Sequence, residues 1–436
     1  MARAVQFSDG SKGLLRSMRR ADLTAVVING VIGAGIFGLP SKTFALAGAY
    51  SLASFAVCAL CVSFIVLSFA EASSRFSETG GPYLFAREAF GPLAGFSIGW
   101  FVWLARLTAF SANCTLLPEY LAFFFPPLAA GWPRAALVTI LVAALTAINI
   151  RGVRVAADTG NAFAALKLIP LLLFAAAGIF FVDWHRFTGP APAYHSFAQS
   201  VLLVSYAFTG FEMAVIPAGE SRNPERDLPF ALIAGMAIIV ALYMGIQIVS
   251  IGTLPGLASS GRPLADAAAR FFGAQGALII TLGIIFSLAG NLNVLILSGS
   301  RLIYAMAERR ELPAALAFVH PRFRTPASAV AVTTALMLVL TLSGSFVYLV
   351  TLSVITRMLG YLATCAAVIA LRRAGDRAKF HLRGGVLIPA AGCAVILWML
   401  SSSTWRELTA VALAAAVGWC AYFASRAARN IGAVRD

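Results

Sequence analysis

Apolar segments long enough to cross a lipid bilayer recur along this chain, and they restrict its fold more than any other feature. A spanning helix needs about 20 mainly apolar residues. Clusters of glycine, proline and charged residues separate about twelve such segments: 25–45, 51–73, 93–125, 135–150, 158–182, 196–217, 229–252, 276–307, 327–343, 346–371, 386–401 and 404–425. Because unpaired backbone groups cannot face lipid, each segment is expected to be helical. The sequence therefore predicts an all-α polytopic membrane protein with about 12 transmembrane helices.

Composition narrows the functional classes. Only 12% of the residues are charged, whereas a soluble domain carries about 25%. The net charge of +15 does not indicate a nucleic-acid partner, because the basic residues lie in short loops between apolar segments. We find no paired carboxylates, metal-binding cluster or Ser/His arrangement in the apolar segments, so we expect neither an enzyme nor a metal or cofactor.

The distribution of basic residues predicts the orientation. They concentrate in alternate connections: Arg75 and Arg87; Arg151 and Arg154; Arg222 and Arg226; Arg309, Arg310, Arg322 and Arg324; and Arg372, Arg373, Arg377, Lys379 and Arg383. Under the positive-inside rule, both termini are then cytoplasmic and the protein lies in the cell (inner) membrane. The predicted regions are a cytoplasmic N-terminal tail (1–24), a transport core (25–371), accessory helices (372–425) and a cytoplasmic C-terminal tail (426–436).

The first apolar segment, 25–45, is rich in residues that disfavour a helix. Gly30, Gly33, Gly35 and Gly38 precede Pro40 within it. If the helix unwinds here, its free N–H groups and the positive end of the next half-helix form a carboxylate site at membrane depth. The alternative is a continuous helix whose glycines let a neighbouring helix pack closely.

The sixth segment, 196–217, repeats this pattern. Gly210 precedes Pro217 by the same step as Gly33 precedes Pro40. Matching interruptions in two halves of a membrane protein are typical of inverted-repeat transporters, whose substrate site lies where the interruptions meet. We therefore expect helices 1–5 and helices 6–10 to form the two repeats.

Three ordered motifs resemble those of the amino acid–polyamine–organocation (APC) transporters. They are GAGIFGLP in the first segment, FTGFE followed by AGESRNPERDLP in and after the sixth, and SRLIYAMAERRELP leading to HPRFRTP. The resemblance extends to about residue 371. It implies a leucine-transporter-like 5+5 inverted repeat with broken helices 1 and 6, which moves amino acids or related amines by alternating access.

The resemblance also implies a set of substrate-binding positions around Gly33 and Gly210. The N–H groups of Ala34, Gly35 and Ile36 would bind the substrate carboxylate. The carbonyls of Val31, Ile32, Ala207, Phe208 and Thr209 would bind its ammonium group. Phe208 or Phe211 would close over the ligand, and the candidates to meet its side chain are Phe110, Asn113, Asn291 and Asn293. For each of these last four, packing or a helix–helix hydrogen bond is the favoured alternative.

We single out four ionisable residues within apolar segments, where such residues are costly and often functional. The resemblance implies that Lys167 replaces the sodium ion of related transporters and couples transport to protons; alternatively, its stem reaches water. Glu212 is either a proton-sensing gate or a structural carboxylate. Arg106 either binds the substrate carboxylate or pairs with Glu212. We interpret Arg357 as a structural anchor or gate element.

The charges beside the cytoplasmic ends of helices 1 and 6 are Arg19, Arg20, Asp22, Glu220 and Arg222. They form either intracellular gate ion pairs or an ordinary solvated surface, and we predict the latter. The predicted function is amino acid transport by proton-coupled symport or exchange, with an amino acid and the lipid bilayer as partners. The alternatives are an amine or polyamine carrier and a membrane amino acid sensor that does not transport.

Overall fold

The computed structural model describes residues 14–122, 124–343, 346–375, 378–401 and 405–432. Within these ranges the regular secondary structure is helical, and one isolated β-bridge joins Met18 to Ser221. Eight helical stretches there are long and apolar enough to cross a membrane, and two shorter helices are also apolar. The expected all-helical multi-pass membrane architecture is therefore present, whereas the count of about 12 spans stays a prediction.

Fourteen α-helices follow one another along the described chain. They are α1 (Arg20–Val31), α2 (Gly35–Ala47), α3 (Ser51–Ser73), α4 (Pro82–Phe90), α5 (Pro92–Leu121), α6 (Gly131–Arg151), α7 (Val153–Gly178), α8 (Tyr194–Ala207), α9 (Pro224–Thr253), α10 (Pro263–Glu308), α11 (Ala327–Leu342), α12 (Phe346–Arg373), α13 (Leu387–Leu400) and α14 (Trp405–Gly432). Helix α10 is kinked at Gly273, where φ is 63°.

The first helix begins before the predicted boundary at residue 25. Helix α1 starts at Arg20, and the carboxylate of Asp22 accepts a hydrogen bond from the Arg19 N–H at 2.7 Å. An acidic side chain in the first turn satisfies a free amide and complements the positive helix end. The helix therefore includes the last residues of the predicted N-terminal tail, of which residues 1–13 lie outside the described part.

The first apolar segment is interrupted between α1 and α2. Ile32 leaves the helical region with φ −78° and ψ 91°, and helical geometry resumes at Gly35. The N–H of Gly33 turns back to the carbonyl of Val31 at 2.9 Å. The three residues between the two helices are thus an unwound turn inside an otherwise apolar span.

The sixth apolar segment is interrupted as well. Helix α8 ends at Ala207, Gly210 has φ 114°, and a 3₁₀ helix follows at Phe211–Val215. That positive φ is costly for residues with a side chain, which explains a glycine at this position.

The two interruptions touch through their main chains. A Cβ atom on Gly30 would lie 2.5 Å from the Gly210 carbonyl oxygen, and one on Gly210 would collide with the Gly30 carbonyl. Such an approach requires that neither residue has a side chain. Around this crossing, α1 packs against α7, α9 and α10, and α5 packs against α10 and α12. These helices bring the site residues together.

We predict that Gly30→Ala destabilises the fold because the two main chains must separate. Overpacking of this kind costs about 1–3 kcal/mol. Gly38→Ala is the matched control, since nothing lies within 4 Å of its added Cβ; alanine there should be neutral or stabilise by up to about 1 kcal/mol. Unfolding of both variants in detergent measures the difference. Equal stability of the two variants would show that the Gly30–Gly210 approach is not tight.

Candidate functional site

Three consecutive amides at the start of α2 have no hydrogen-bond acceptor among the described residues. They belong to Ala34, Gly35 and Ile36. The first amides of a helix cannot bond within it, and the helix dipole makes this end positive. Gly33, Ala34 and Gly35 are partly accessible, so open space borders this turn, whereas Ile36 is buried. This arrangement is suited to a carboxylate.

Two carbonyls in the other interruption are also free. No described donor reaches the oxygens of Phe208 and Thr209. The Ala207 carbonyl, by contrast, accepts a 3.3 Å hydrogen bond from the Tyr243 hydroxyl. A pair of unfilled carbonyls inside a membrane protein offers acceptors to an ammonium group.

The Val31 and Ile32 carbonyls, predicted to bind an ammonium group, already accept hydrogen bonds. Ile32 O accepts from Lys167 Nζ at 2.7 Å and from Ser287 Oγ at 2.9 Å. Val31 O accepts from the Gly33 N–H. Since a carbonyl oxygen has two lone pairs, Ile32 has no free acceptor in this conformation. Val31 O retains one free lone pair, so of these two carbonyls only Val31 stays a candidate for the ammonium group in this conformation.

Lys167 is fully buried, and its ammonium group points at the interruption of the first helix. A second contact joins its Nζ to the Ser287 carbonyl of α10 at 3.4 Å. No carboxylate of the described structure forms an ion pair with it. The alternative that Lys167 extends to water is therefore wrong. The residue joins α7 and α10 to the unwound turn through main-chain carbonyls.

Asparagines connect the interruption to its neighbours. Asn291 Nδ2 donates to the carbonyls of Asn29 and Gly30, at 2.9 Å each, and Asn291 Oδ1 accepts from Asn113 Nδ2 at 2.8 Å. Asn293, two residues further along α10, bonds instead to Asn149 and to the Ala156 carbonyl. Asn293 therefore forms a helix–helix contact in this conformation, which is the alternative that the sequence favoured for it.

The aromatic residues predicted around the ligand are buried in the core. Phe211 stacks on Tyr361 with ring centroids 5.1 Å apart, and Phe208 contacts Tyr243 at 5.2 Å. Phe110 is fully buried as well. The aromatic side chain beside the free amides is Tyr206, which is 38% exposed and lies 3.8 Å from the position of a Cβ on Gly35. The sequence analysis did not single out Tyr206, although it lies one turn before Gly210.

Glu212 is the centre of a buried ionic cluster that joins the second interruption to α5 and α12. Its Oε1 lies 2.9 Å from Arg106 Nη2 and 3.6 Å from Arg357 Nε. Its Oε2 accepts from the Tyr361 hydroxyl at 2.5 Å and from the Gly210 N–H at 3.0 Å. Arg106 thus pairs with Glu212, which decides between the two alternatives for this conformation. Tyr361 was missed, although it follows Arg357 by one helical turn on the same face.

Two ion pairs with buried carboxylates lie at the end of the site nearest the N-terminus. Asp22 contacts Arg154 at 2.8 Å. Arg301 Nε and Nη2 bond to both oxygens of Glu220 at 3.0 and 3.1 Å. Asp22 is 3% exposed and Glu220 0%. The prediction that these two carboxylates form a solvated surface is therefore wrong.

A cavity lies at the opposite end of the site. Its volume is about 430 Å³, and it lies beyond the free amides, away from the N-terminus. Phe37 and Gly38 of α2, Leu116 of α5, and Thr281 and Ile284 of α10 contribute to its walls. These positions continue the helix faces that carry Gly35, Asn113 and Asn291.

Comparison with known proteins matches residues 20–419 to the family described as amino acid permease. The chain belongs to the amino acid permease family. Among its relatives, the serine/threonine exchanger SteT of Bacillus subtilis is 28% identical over 423 residues, which are 93% of this chain and 95% of that protein. The branched-chain amino acid permease BcaP of the same organism is 28% identical over 73% of each chain.

A third relative shows how widely substrates vary within these similarities. The methylthioribose transporter of Bacillus subtilis is 29% identical over 95% of this chain and 94% of that protein. The resemblance to APC transporters is confirmed, and the named relatives are transporters rather than enzymes. Because their names span different substrates, the substrate of this permease has to be argued from its own site.

Proposed function

We propose that this permease transports an amino acid by alternating access, with the α-carboxylate on the amides of Ala34, Gly35 and Ile36. The ammonium group then binds the carbonyls of Phe208 and Thr209. One observation carries the proposal: two interrupted helices meet at Gly30 and Gly210 and leave these amides and carbonyls unfilled. Buried polar groups are normally paired, so their pairing with a zwitterion is favourable.

The proposed architecture has about 12 spans and two inverted repeats of five, with both termini cytoplasmic in the cell (inner) membrane. The interruptions lie in the first and sixth predicted spans, which is the pattern of such repeats. The basic loops support the orientation. In this orientation the cavity opens to the outside, and the ion pairs of Asp22 and Glu220 close the cytoplasmic side.

In the proposed transport cycle, the outer side closes and the cytoplasmic side opens. Substrate enters from the outer cavity, and its charges join α2 to the second interruption. Movement of the helices that carry these interruptions then separates Asp22 from Arg154 and Glu220 from Arg301 and opens the cytoplasmic side. Both cytoplasmic contacts are ion pairs between elements that move apart. They therefore bias the equilibrium between the two conformations.

Gly35→Val should reduce substrate affinity by about tenfold or more, because tenfold corresponds to only about 1.4 kcal/mol of lost binding. Its side chain enters the space between the free amides and Tyr206. Gly189→Val is the control, since nothing lies within 4 Å of an added Cβ at Gly189. Uptake and counterflow of each of the twenty amino acids in liposomes identify the substrate. Affinity equal to that of Gly189→Val would refute the site, and no flux with any amino acid would refute the function.

We also propose that Lys167 couples transport to protons. Its ammonium group holds the Ile32 carbonyl without a carboxylate partner in the described structure, so gain or loss of one proton changes how the unwound turn is held. The alternative mode is exchange of one amino acid for another.

Lys167→Met should therefore abolish accumulation driven by a pH gradient. The thioether keeps the volume of the chain but cannot donate a hydrogen bond to Ile32. Lys42→Met, at an exposed lysine of α2, should retain accumulation. The measurement is uptake into liposomes with an imposed pH gradient, compared with uptake at equal pH. Normal pH-driven accumulation by Lys167→Met would exclude the coupling role.

A further inference from the structure

The Glu212 cluster contains one more positive charge than negative charges. Arg106 and Arg357 face the single carboxylate of Glu212. Other buried carboxylates of the described structure are engaged elsewhere, with Glu71 paired to Arg372 and Glu220 to Arg301. An excess charge buried at membrane depth is costly unless a counter-charge arrives.

The cluster also has more donors than acceptors. Glu212 Oε2 accepts hydrogen bonds from the Tyr361 hydroxyl and the Gly210 N–H. Only Oε1 is therefore left for the two guanidinium groups. Arg106 Nε and Nη1, and Arg357 Nε, have no hydrogen-bond partner among the described residues. Arg106 is fully buried. A guanidinium group carries five N–H donors in a fork that matches a carboxylate, so these atoms fit a second anion.

The cluster adjoins the proposed substrate site. Arg357 Nη1 donates to Thr209 Oγ1 at 2.7 Å, and Thr209 also supplies one of the free carbonyls. The Arg357 side chain is 9% accessible, so it is not completely enclosed. Arg106 lies about two turns before Asn113 on the same face of α5. Arg357 therefore lies next to the proposed substrate site through Thr209, and Arg106 shares Glu212 Oε1 with it.

We infer that the transported amino acid carries a second carboxylate in its side chain, as aspartate and glutamate do. This inference rests on the proposed function. A neutral zwitterion leaves the excess charge of the cluster in place, whereas an acidic amino acid cancels it. The side-chain carboxylate binds Arg357 first, and Arg106 supplies its unpaired donors as the site closes. Substrates with a cationic side chain are repelled by the same pair.

The direct test compares isosteric substrates that differ by one charge. The wild-type permease in liposomes is assayed for counterflow of labelled glutamate against glutamine, and of aspartate against asparagine. The expected preference for the acidic member is about tenfold or more, since hydrogen bonds to charged groups are the stronger class. Equal or better transport of glutamine and asparagine would overturn the inference and leave the proposed function intact. Absence of transport for every amino acid would refute the proposed function itself.

Arg357→Gln tests the role of the cluster. This variant leaves Arg106 and Glu212 as a balanced pair, so the fold keeps its buried counterions. It should lower the preference for glutamate over glutamine by about tenfold, and Arg357→Lys should retain part of it. Arg270→Gln, at an exposed arginine of α10, is the matched control. An unchanged preference in Arg357→Gln would overturn the assignment.

A third arm distinguishes the substrate carboxylate from a free anion. Counterflow is repeated with chloride replaced by gluconate. Acidic amino acid transport that persists without chloride supports the inference. Transport of neutral amino acids that requires chloride would show that chloride fills the cluster, and the inference would then be wrong. The isosteric comparison in the wild type decides the question even if an arginine variant does not fold.

Discussion

The structure depends on the requirement that peptide groups within a membrane find a partner. Two helices unwind at Ile32–Ala34 and Phe208–Gly210 and expose main-chain groups to an apolar environment. Side chains of the protein supply hydrogen-bond partners for most of these groups. Lys167 and Ser287 donate hydrogen bonds to the Ile32 carbonyl. Asn291 donates to the carbonyls of Asn29 and Gly30, and Tyr243 donates to the carbonyl of Ala207. Among the described residues, the groups that remain include three amides of α2 and the carbonyls of Phe208 and Thr209, which together complement the charged groups of an amino acid.

Buried charges connect the pieces that a transport cycle must move. Lys167 links the first interruption to α7, and Glu212 links the second to α5 and α12 through Arg106 and Arg357. On the N-terminal side, Arg301 and Arg154 hold Glu220 and Asp22. Ion pairs of this kind are specific in geometry and have a desolvation cost that offsets their attraction. Such ion pairs can therefore break and form again, so the protein can change between two conformations in both directions.

The sequence predicted the features that follow from local chemistry. Glycine spacing indicated both interruptions, and the lone lysine of an apolar segment indicated a buried ammonium group. It could not predict partners that depend on which helix lies opposite. Asn293 faces α6 and α7 rather than the site, Phe211 packs on Tyr361, and Asp22 and Glu220 are covered by arginines distant in sequence. Those contacts are set by helix rotation and by long-range packing, which periodicity alone does not specify.

The claim at the centre of this account is that the first amides of α2 bind the α-carboxylate of the substrate. Competition in liposomes measures it directly, with the transported amino acid labelled and two analogues as competitors. One analogue is its α-methyl ester, and the other is the amine that lacks the α-carboxyl group. The account predicts that the free amino acid competes and that both analogues do so at least about tenfold more weakly. Equal competition by the amine would contradict it.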